Sequence, residues 1–186
     1  MRHLPNIICL MRIALVWPLI VSLQAGDFRQ TLWIFAIAAF SDGIDGYLAK
    51  RFSWISKLGG VLDPLADKLL LVSLFLMCTW LGLIPQWLTF LAVTRDVMIG
   101  SGALLFMLLW GPLNGRPLWI SKFNTLLQLS YLMGIVLHQA YGWPANWFVT
   151  ALGWVTGASI LASGYTYMRE FTSRAYRIAG AAAPAA

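Results

Sequence analysis

Four aspartates lie close together in a chain that is otherwise sparing with charge: Asp42, Asp45, Asp63 and Asp67. The first pair is three residues apart and the second pair is four apart, so each pair falls on one face of a helix. Carboxylates this close repel one another and cannot all stay ionised without compensation. Divalent cations would provide it, since such oxygen ligands suit Mg²⁺, Mn²⁺ or Ca²⁺. Two bound cations would form a clamp for a phosphoryl or pyrophosphoryl group.

Glycines accompany both acidic pairs. Gly46 follows Asp45, and Gly59 lies four residues before Asp63, beside Gly60. These positions leave the acidic stretch without side-chain bulk on the neighbouring turns. The space would allow close packing of helices or would admit a flat nucleotide base, and the sequence leaves both uses open.

The elements that must position these residues are apolar helices. Of 186 residues, 60 % are hydrophobic and 11 % are charged, whereas soluble domains carry roughly 25 % charged residues. A membrane crossing needs about 20 mostly apolar residues, so the chain predicts an all-α membrane protein with six transmembrane helices. We expect one domain over residues 1–179 and a disordered tail over 180–186. The predicted segments are 7–25, 30–51, 58–82, 86–111, 117–140 and 145–168.

Basic residues set the expected orientation. The side that carries the acidic stretch also receives nine basic residues, whereas the other side receives only Arg29. Because short loops rich in Lys and Arg stay in the cytoplasm, both termini and the turn within residues 41–68 are expected there. Nucleic-acid binding is not expected, since these charges are scattered among helix ends. The nine are Arg2, Lys50, Arg51, Lys57, Arg116, Lys122, Arg169, Arg174 and Arg177.

The remaining candidates for chemistry have simpler interpretations. Cys78, like Cys9, lies in an apolar run without metal-ligand spacing and is expected to be a small buried hydrophobic residue. His138 stands alone and is expected to have no catalytic role. Asp96 follows Arg95 directly, which favours an ion pair between them. The first apolar segment is interpreted as a retained helix rather than a signal peptide.

The acidic stretch resembles the signature of the CDP-alcohol phosphatidyltransferases. The matching pattern is Asp42-x2-Asp45-Gly46-x2-Ala49 followed by Gly59-x3-Asp63-x3-Asp67, with eight residues between Lys50 and Gly59. The resemblance implies the transfer of phosphatidyl from CDP-diacylglycerol to an alcohol, with release of CMP. The family usually has Arg where this chain has Lys50, so Arg51 is an alternative contact for the diphosphate.

The resemblance also implies roles for individual positions. The four aspartates would hold two divalent cations, Mg²⁺ or Mn²⁺, and Asp67 would also act as general base on the acceptor hydroxyl. Gly46 and Gly59 would line the cytidine pocket, and Lys50 or Arg51 would meet the diphosphate. Three basic residues could bind the acceptor, or could instead serve as interfacial anchors or form ion pairs. These are Arg95, Arg116 and Lys122.

Within the family, the later helices resemble the eukaryotic-type cardiolipin synthases in "TRDVMIGSGAL", "RPLWISKFNTLLQL" and "ASGYTYMRE". The phosphatidylglycerophosphate synthases commonly have Lys-x-Lys-Thr where this chain has Lys122-Phe123-Asn124-Thr125. Their acceptor, glycerol 3-phosphate, carries a dianionic phosphate that benefits from cationic donors. Asn124 therefore favours phosphatidylglycerol, whose free glycerol end is uncharged, and glycerol 3-phosphate is the alternative acceptor.

The resemblance further implies a homodimer surrounded by membrane lipid, in an inner membrane, with the active site facing the cytoplasm. Two other classes of membrane protein fit the sequence less well. A cation transporter would explain aspartates within a membrane, but not their glycine companions or the basic residues around them. A membrane prenyltransferase would also use aspartates on a metal-bound diphosphate, but its two clusters are usually far apart in sequence.

Overall fold

The computed structural model of the chain describes residues 4–52, 59–110 and 119–181, and side chains at 10, 11, 13–41, 68–102, 104, 105, 108 and 119–173. Within those ranges the chain forms six helices and no strand, which confirms the all-α prediction there. The helices are α1 (Leu4–Gln24), α2 (Phe28–Phe52), α3 (Gly59–Trp80), α4 (Gln86–Trp110), α5 (Trp119–Tyr141) and α6 (Asn146–Ala181).

Three short turns join the helices in pairs, α1 to α2, α3 to α4 and α5 to α6. Each contains a glycine with a positive φ, at Gly26 (74°), Gly82 (72°) and Gly142 (71°), a conformation that other residues adopt at a cost. The Asp27 carboxylate accepts a hydrogen bond from the Gln30 backbone N–H at 3.0 Å and so caps α2. Since successive helices reverse direction, these turns share one end of the bundle, and the C-terminal ends of α2 and α4 lie at the other.

Helix α3 is central to the packing. It contacts α1, α4 and α5, while α1 also packs on α2, and α6 packs on α4 and α5. Buried residues recur on α3 at helical spacing, at Leu70, Leu71, Leu74, Phe75 and Cys78, and form a stripe that faces the core. The buried Cys78 agrees with its prediction. The part of α3 that follows the second acidic pair is therefore fixed by packing.

The outer surface of the bundle is apolar. Trp80, Trp119 and Trp147 are 86 %, 85 % and 73 % exposed, and all lie near helix ends. Exposed aromatic rings at such positions fit the interface between lipid and water. By length and hydropathy, two stretches among the described residues can cross a membrane, Trp119–Tyr141 and Asn146–Ser173.

Helix α6 is longer than the sequence predicts. The apolar segment was expected to end at residue 168, whereas the helix continues to Ala181 and has 36 residues. At a rise of about 1.5 Å per residue, it is longer than a hydrocarbon core of about 30 Å. Hydropathy locates the end of the apolar run but not of the helix, because residues such as Arg169 and Glu170 are good helix formers.

His138 stabilises the turn between α5 and α6. Its Nδ1 lies 2.7 Å from the carbonyl oxygen of Pro144, to which it donates a hydrogen bond. The Gly142 N–H also donates to the His138 carbonyl oxygen, at 2.7 Å. The contacts of this histidine are therefore structural.

Candidate functional site

Helices α2 and α3 carry the four aspartates. Asp42 and Asp45 lie towards the C-terminal end of α2, and Asp63 and Asp67 lie in the first turns of α3, as the sequence predicts. The link over residues 53–58 and the side chains of all four aspartates are outside the described part of the chain. The convergence of the carboxylates therefore stays a prediction.

The predicted nucleotide-binding residues fall on the same two helices. Gly46, Lys50 and Arg51 belong to α2, and Gly59 is the first residue of α3. Their side chains and surroundings are outside the described residues, as is Arg116 altogether. Two of the predicted acceptor ligands, Arg95 and Lys122, can be followed in detail.

A charged cluster joins α3 to α4 next to the second acidic pair. Lys68, the residue after Asp67, forms an ion pair with Asp96 of α4, with Nζ 2.5 Å from Oδ2. The other oxygen of this carboxylate accepts a hydrogen bond from Nη1 of Arg95 at 2.7 Å, which confirms the predicted Arg95–Asp96 ion pair. The Asp96 side chain is 9 % exposed and that of Lys68 is 40 % exposed. The nearly buried carboxylate of Asp96 is therefore paired with two basic side chains, those of Lys68 and Arg95.

Arg95 extends the cluster to α5 and α6. Its Nη2 donates to the Oγ of Ser121 at 2.7 Å and to the Oγ of Ser163 at 2.6 Å. Its Nε also donates to Ser163, at 3.2 Å, and the guanidinium carbon lies 5.9 Å from the centre of the Tyr167 ring, within cation–π range. The side chain is buried and most of its donors are satisfied within the protein. An acceptor-binding role for Arg95 would require some of these partners to be exchanged.

Lys122 lies at the start of α5 and is exposed. Its ammonium group stands 5.4 Å from the centre of the Trp119 ring, a cation–π geometry. Both residues lie in the first turn of a helix that is long and apolar enough to span a membrane. This contact fits the alternative role of an interfacial anchor.

Buried polar atoms without partners lie deeper in α5 and α6. Among the residues that the structure describes, no hydrogen-bond partner exists for Oδ1 and Nδ2 of Asn124, Nε2 of Gln128 or Oγ of Ser159. Asn124 and Gln128 are four residues apart, on one face of α5. A buried unpaired polar group costs about 1–3 kcal/mol. These amides therefore suit contact with a hydroxyl-bearing ligand or with ordered water.

The donor set that could hold a metal is the group of four aspartates. Carboxylate oxygens contributed by two neighbouring helix ends fit Mg²⁺ or Mn²⁺. Over the described residues, there is no group of three or more His, Cys, Asp or Glu side chains that could bind an ion. Asp42, Asp45, Asp63 and Asp67 therefore stay the predicted cation ligands.

A groove of about 650 Å³ opens between α5 and α6. Its lining includes Leu127, Trp143, Pro144 and Trp147, so it reaches the turn between α5 and α6. The apolar lining and this location fit a surface that faces lipid. The groove is not part of the acidic site.

Several residues around the site escaped the sequence-based interpretation. Lys68 could have been noticed because it directly follows an aspartate of the motif. The serines that bind Arg95 could not, since Ser163 is 68 residues away in the sequence. Gln128 gave a weak signal, as it continues the polar face that begins with Ser121 and Asn124 at helical spacing.

The chain is similar to several phospholipid synthases. It is 30 % identical over 180 residues to the cardiolipin synthases (CMP-forming) of Rattus norvegicus and Homo sapiens, which covers 88 % of this chain and 60 % of each relative. It therefore spans less than two thirds of the length of these relatives. It is also 27 % identical over 189 residues to the CDP-diacylglycerol–glycerol-3-phosphate 3-phosphatidyltransferase of Bacillus subtilis, covering 91 % of this chain and 95 % of that protein.

The acidic stretch lies inside the region shared with a known family. The profile of the CDP-alcohol phosphatidyltransferases matches residues 2–159. This range includes all four aspartates and their glycines, the charged cluster at Asp96 and the polar face of α5. Because the match covers far more than half of the sequence, the chain belongs to the CDP-alcohol phosphatidyltransferase family.

Proposed function

We propose that the protein transfers phosphatidyl from CDP-diacylglycerol to an alcohol acceptor and releases CMP, in the synthesis of anionic glycerophospholipids. The observation that carries the proposal is the paired aspartate motif, which falls on the end of α2 and the start of α3 within the region matched to the family. The names of the rat and human relatives include CMP formation, which supports the same reaction.

The four aspartates supply the chemistry in this proposal. Asp42, Asp45, Asp63 and Asp67 would hold two divalent cations, Mg²⁺ or Mn²⁺. Bound cations would neutralise charge on the diphosphate and on the departing CMP. Asp67 would take the proton from the acceptor hydroxyl. The acceptor oxygen then bonds to the phosphatidyl phosphorus, and the bond from that phosphorus to the CMP oxygen breaks, with its electron pair leaving on CMP.

The nucleotide would lie along the same two helix ends. Gly46 and Gly59 have no side chain, so they would leave room for the cytidine. Lys50 or Arg51 would contact the diphosphate, and the guanidinium of Arg51 offers the planar fork that suits phosphate oxygens. A single displacement of this kind needs no nucleophilic side chain.

Phosphatidylglycerol is the acceptor that we favour, which would make the product cardiolipin. Among the described candidates, Arg95 is engaged by Asp96 and two serines, and Lys122 stands against Trp119. Asn124 is buried and uncharged, and its amide has no partner among the described residues, which suits a neutral glycerol end. Glycerol 3-phosphate is the second candidate, because the Bacillus subtilis relative is named for it and is covered almost completely.

The reaction would take place at a membrane. We propose that the chain is an integral membrane protein whose six transmembrane helices form one catalytic domain over residues 1–179. Both termini would lie in the cytoplasm. The active site would face the cytoplasm from an inner membrane. The two apolar spans of α5 and α6 support this. A homodimer is proposed on the resemblance to the family.

Substitution of Asp67 tests the proposal directly. Purified protein in detergent or vesicles, given Mg²⁺ or Mn²⁺, CDP-diacylglycerol and phosphatidylglycerol, is expected to release CMP. Asp67→Asn removes the base and one cation ligand at nearly constant size, so CMP release should fall about 10³-fold or more. CMP is measured by chromatography, and folding by the elution profile and thermal midpoint.

Asp27→Asn is the matched control, because Asp27 is exposed at the opposite end of the bundle and asparagine caps a helix as well as aspartate does. It should keep wild-type activity. Near-normal CMP release by folded Asp67→Asn would rule out the role assigned to this aspartate.

A further inference from the structure

Lys68 directly follows an aspartate of the acidic motif and forms an ion pair with a different carboxylate, that of Asp96. It follows Asp67 directly in α3, and successive helical residues point about 100° apart. Its ammonium group meets Asp96 of α4, at 2.5 Å from Oδ2. The lysine is thus engaged on a neighbouring helix.

Asp96 is held firmly in the position where it receives Lys68. Its second oxygen binds Nη1 of Arg95 at 2.7 Å, and Arg95 is in turn fixed by Ser121 of α5 and Ser163 of α6. Only 9 % of the Asp96 side chain is exposed. The carboxylate therefore belongs to the packed part of α4, α5 and α6, whereas Lys68 is 40 % exposed and less restrained by packing.

A released Lys68 would be a competitor for the acidic site. Its flexible four-carbon stem carries a point charge, and the aspartates nearest to it in sequence are Asp67 and Asp63. An ammonium group within about 4–6 Å of a carboxylate favours the charged carboxylate and occupies its oxygens. Those oxygens would then be less available to a cation.

We propose that Asp96 is a positioning residue that keeps the ammonium group of Lys68 away from the aspartates of α2 and α3, and thereby keeps their oxygens free for divalent cations. This inference rests on the proposed function, since it takes the four aspartates as the cation ligands. It gives Asp96 a role through Lys68, without contact with substrate.

Direct binding of Mn²⁺ tests the inference without any need for turnover. Free Mn²⁺ is measured by electron paramagnetic resonance while the ion is added to purified full-length protein in detergent. Asp96→Asn keeps an oxygen for Arg95 but removes the charge that holds Lys68. It is expected to bind Mn²⁺ about three- to tenfold more weakly, as one additional positive charge near the site would cause.

The double variant Asp96→Asn, Lys68→Gln separates this mechanism from a loss of packing. Removing the freed ammonium group should restore the Mn²⁺ dissociation constant to within about twofold of the wild-type value. A double variant as weak as Asp96→Asn would show a purely structural effect and overturn the inference, as would unchanged binding by Asp96→Asn.

Lys68→Gln alone provides a check even if Asp96→Asn does not fold, since the lysine is 40 % exposed. A lysine already held by Asp96 contributes little to the acidic site, so its removal should change Mn²⁺ affinity less than about twofold. A fivefold change in either direction would contradict the inference. If the wild-type protein binds no Mn²⁺, the proposed cation site itself is wrong.

Discussion

Arg95 and Asn124 are both buried polar residues, but of these two only the arginine has hydrogen-bond partners for its side chain among the described residues. Arg95 reaches serines on two other helices, while both polar atoms of the Asn124 amide lack a partner among the described residues. A satisfied charge fixes helices relative to one another, whereas an unsatisfied amide is available to a ligand. At the scale of residues, Asn124 is thus better suited than Arg95 to contact an acceptor.

Acceptor choice is predicted to depend on Asn124. Wild-type protein, offered each acceptor separately with CDP-diacylglycerol, is expected to convert phosphatidylglycerol faster than glycerol 3-phosphate. Asn124→Lys adds a charge-assisted donor, so it should raise the activity ratio for glycerol 3-phosphate over phosphatidylglycerol about tenfold, the effect of roughly 1.4 kcal/mol. Products are identified by mass spectrometry of the extracted lipids.

Phe123→Lys is the matched control for charge, because it adds a lysine at an exposed neighbouring position on α5. Its acceptor ratio should equal that of the wild type. Formation of phosphatidylglycerophosphate alone by the wild-type protein would overturn the preferred acceptor, and an unchanged ratio in folded Asn124→Lys would remove this residue from the acceptor site.

The sequence reveals groups of residues that are close along the chain, but not contacts between residues that are far apart in it. The aspartates are recognisable because a few residues separate the members of each pair, so helical geometry alone places them on one face. The partners of Arg95 depend instead on how α4, α5 and α6 pack, and Ser163 is far away along the chain. The same holds for the pairing of Lys68 with Asp96, which requires the packing of α3 against α4.

At the scale of helices, two glycines on α6 allow close packing. A Cβ added at Gly153 would lie 3.0 Å from Cε2 of Tyr131 on α5, and one added at Gly157 would lie 2.9 Å from Cζ3 of Trp87. Tyr131 is buried and has little room to move, whereas Trp87 is partly exposed and stacked on Trp154 at 5.0 Å. Small residues at such contacts are typical of helix pairs in membranes.

Gly153→Ala is predicted to destabilise the α5–α6 pair. The added methyl group forces Tyr131 or the helix backbone to shift, and overpacking of this kind costs about 1–3 kcal/mol. The thermal midpoint in detergent, followed by circular dichroism, should therefore fall. Gly100→Ala is the control, because among the described residues no atom beyond the adjoining backbone of α4 lies within 4 Å of a Cβ at this position, and alanine is the better helix former. Equal midpoints for the two variants would contradict this account.

The turns between the helices leave a clearer trace in the sequence than the helix interfaces do. The breaks at Gly26, Gly82 and Gly142 require positive φ, and glycine meets that requirement without strain. The interface glycines do not differ from other helical glycines in sequence. Their role depends on which aromatic ring faces them, and that is decided by tertiary packing.

For the whole molecule, the distribution of basic residues predicts one orientation in the membrane. The three glycine turns share one end of the bundle, where the sequence places Arg29 as the only basic residue near a predicted helix end. The basic residues around the acidic stretch belong to the other end. Loops rich in Lys and Arg remain cytoplasmic, so the acidic site should face the cytoplasm.

This orientation is predicted to show in cysteine labelling of right-side-out membrane vesicles. In a background with Cys9 and Cys78 replaced by serine, Ala25→Cys should react with an impermeant maleimide added outside, because it lies exposed in the α1–α2 turn. Ser173→Cys, exposed near the end of α6, should react only after the vesicles are opened. Both variants must retain CMP release, which shows that the labelled protein is folded. The reverse pattern of labelling would place the aspartates on the outer side and would contradict the orientation predicted from the basic residues.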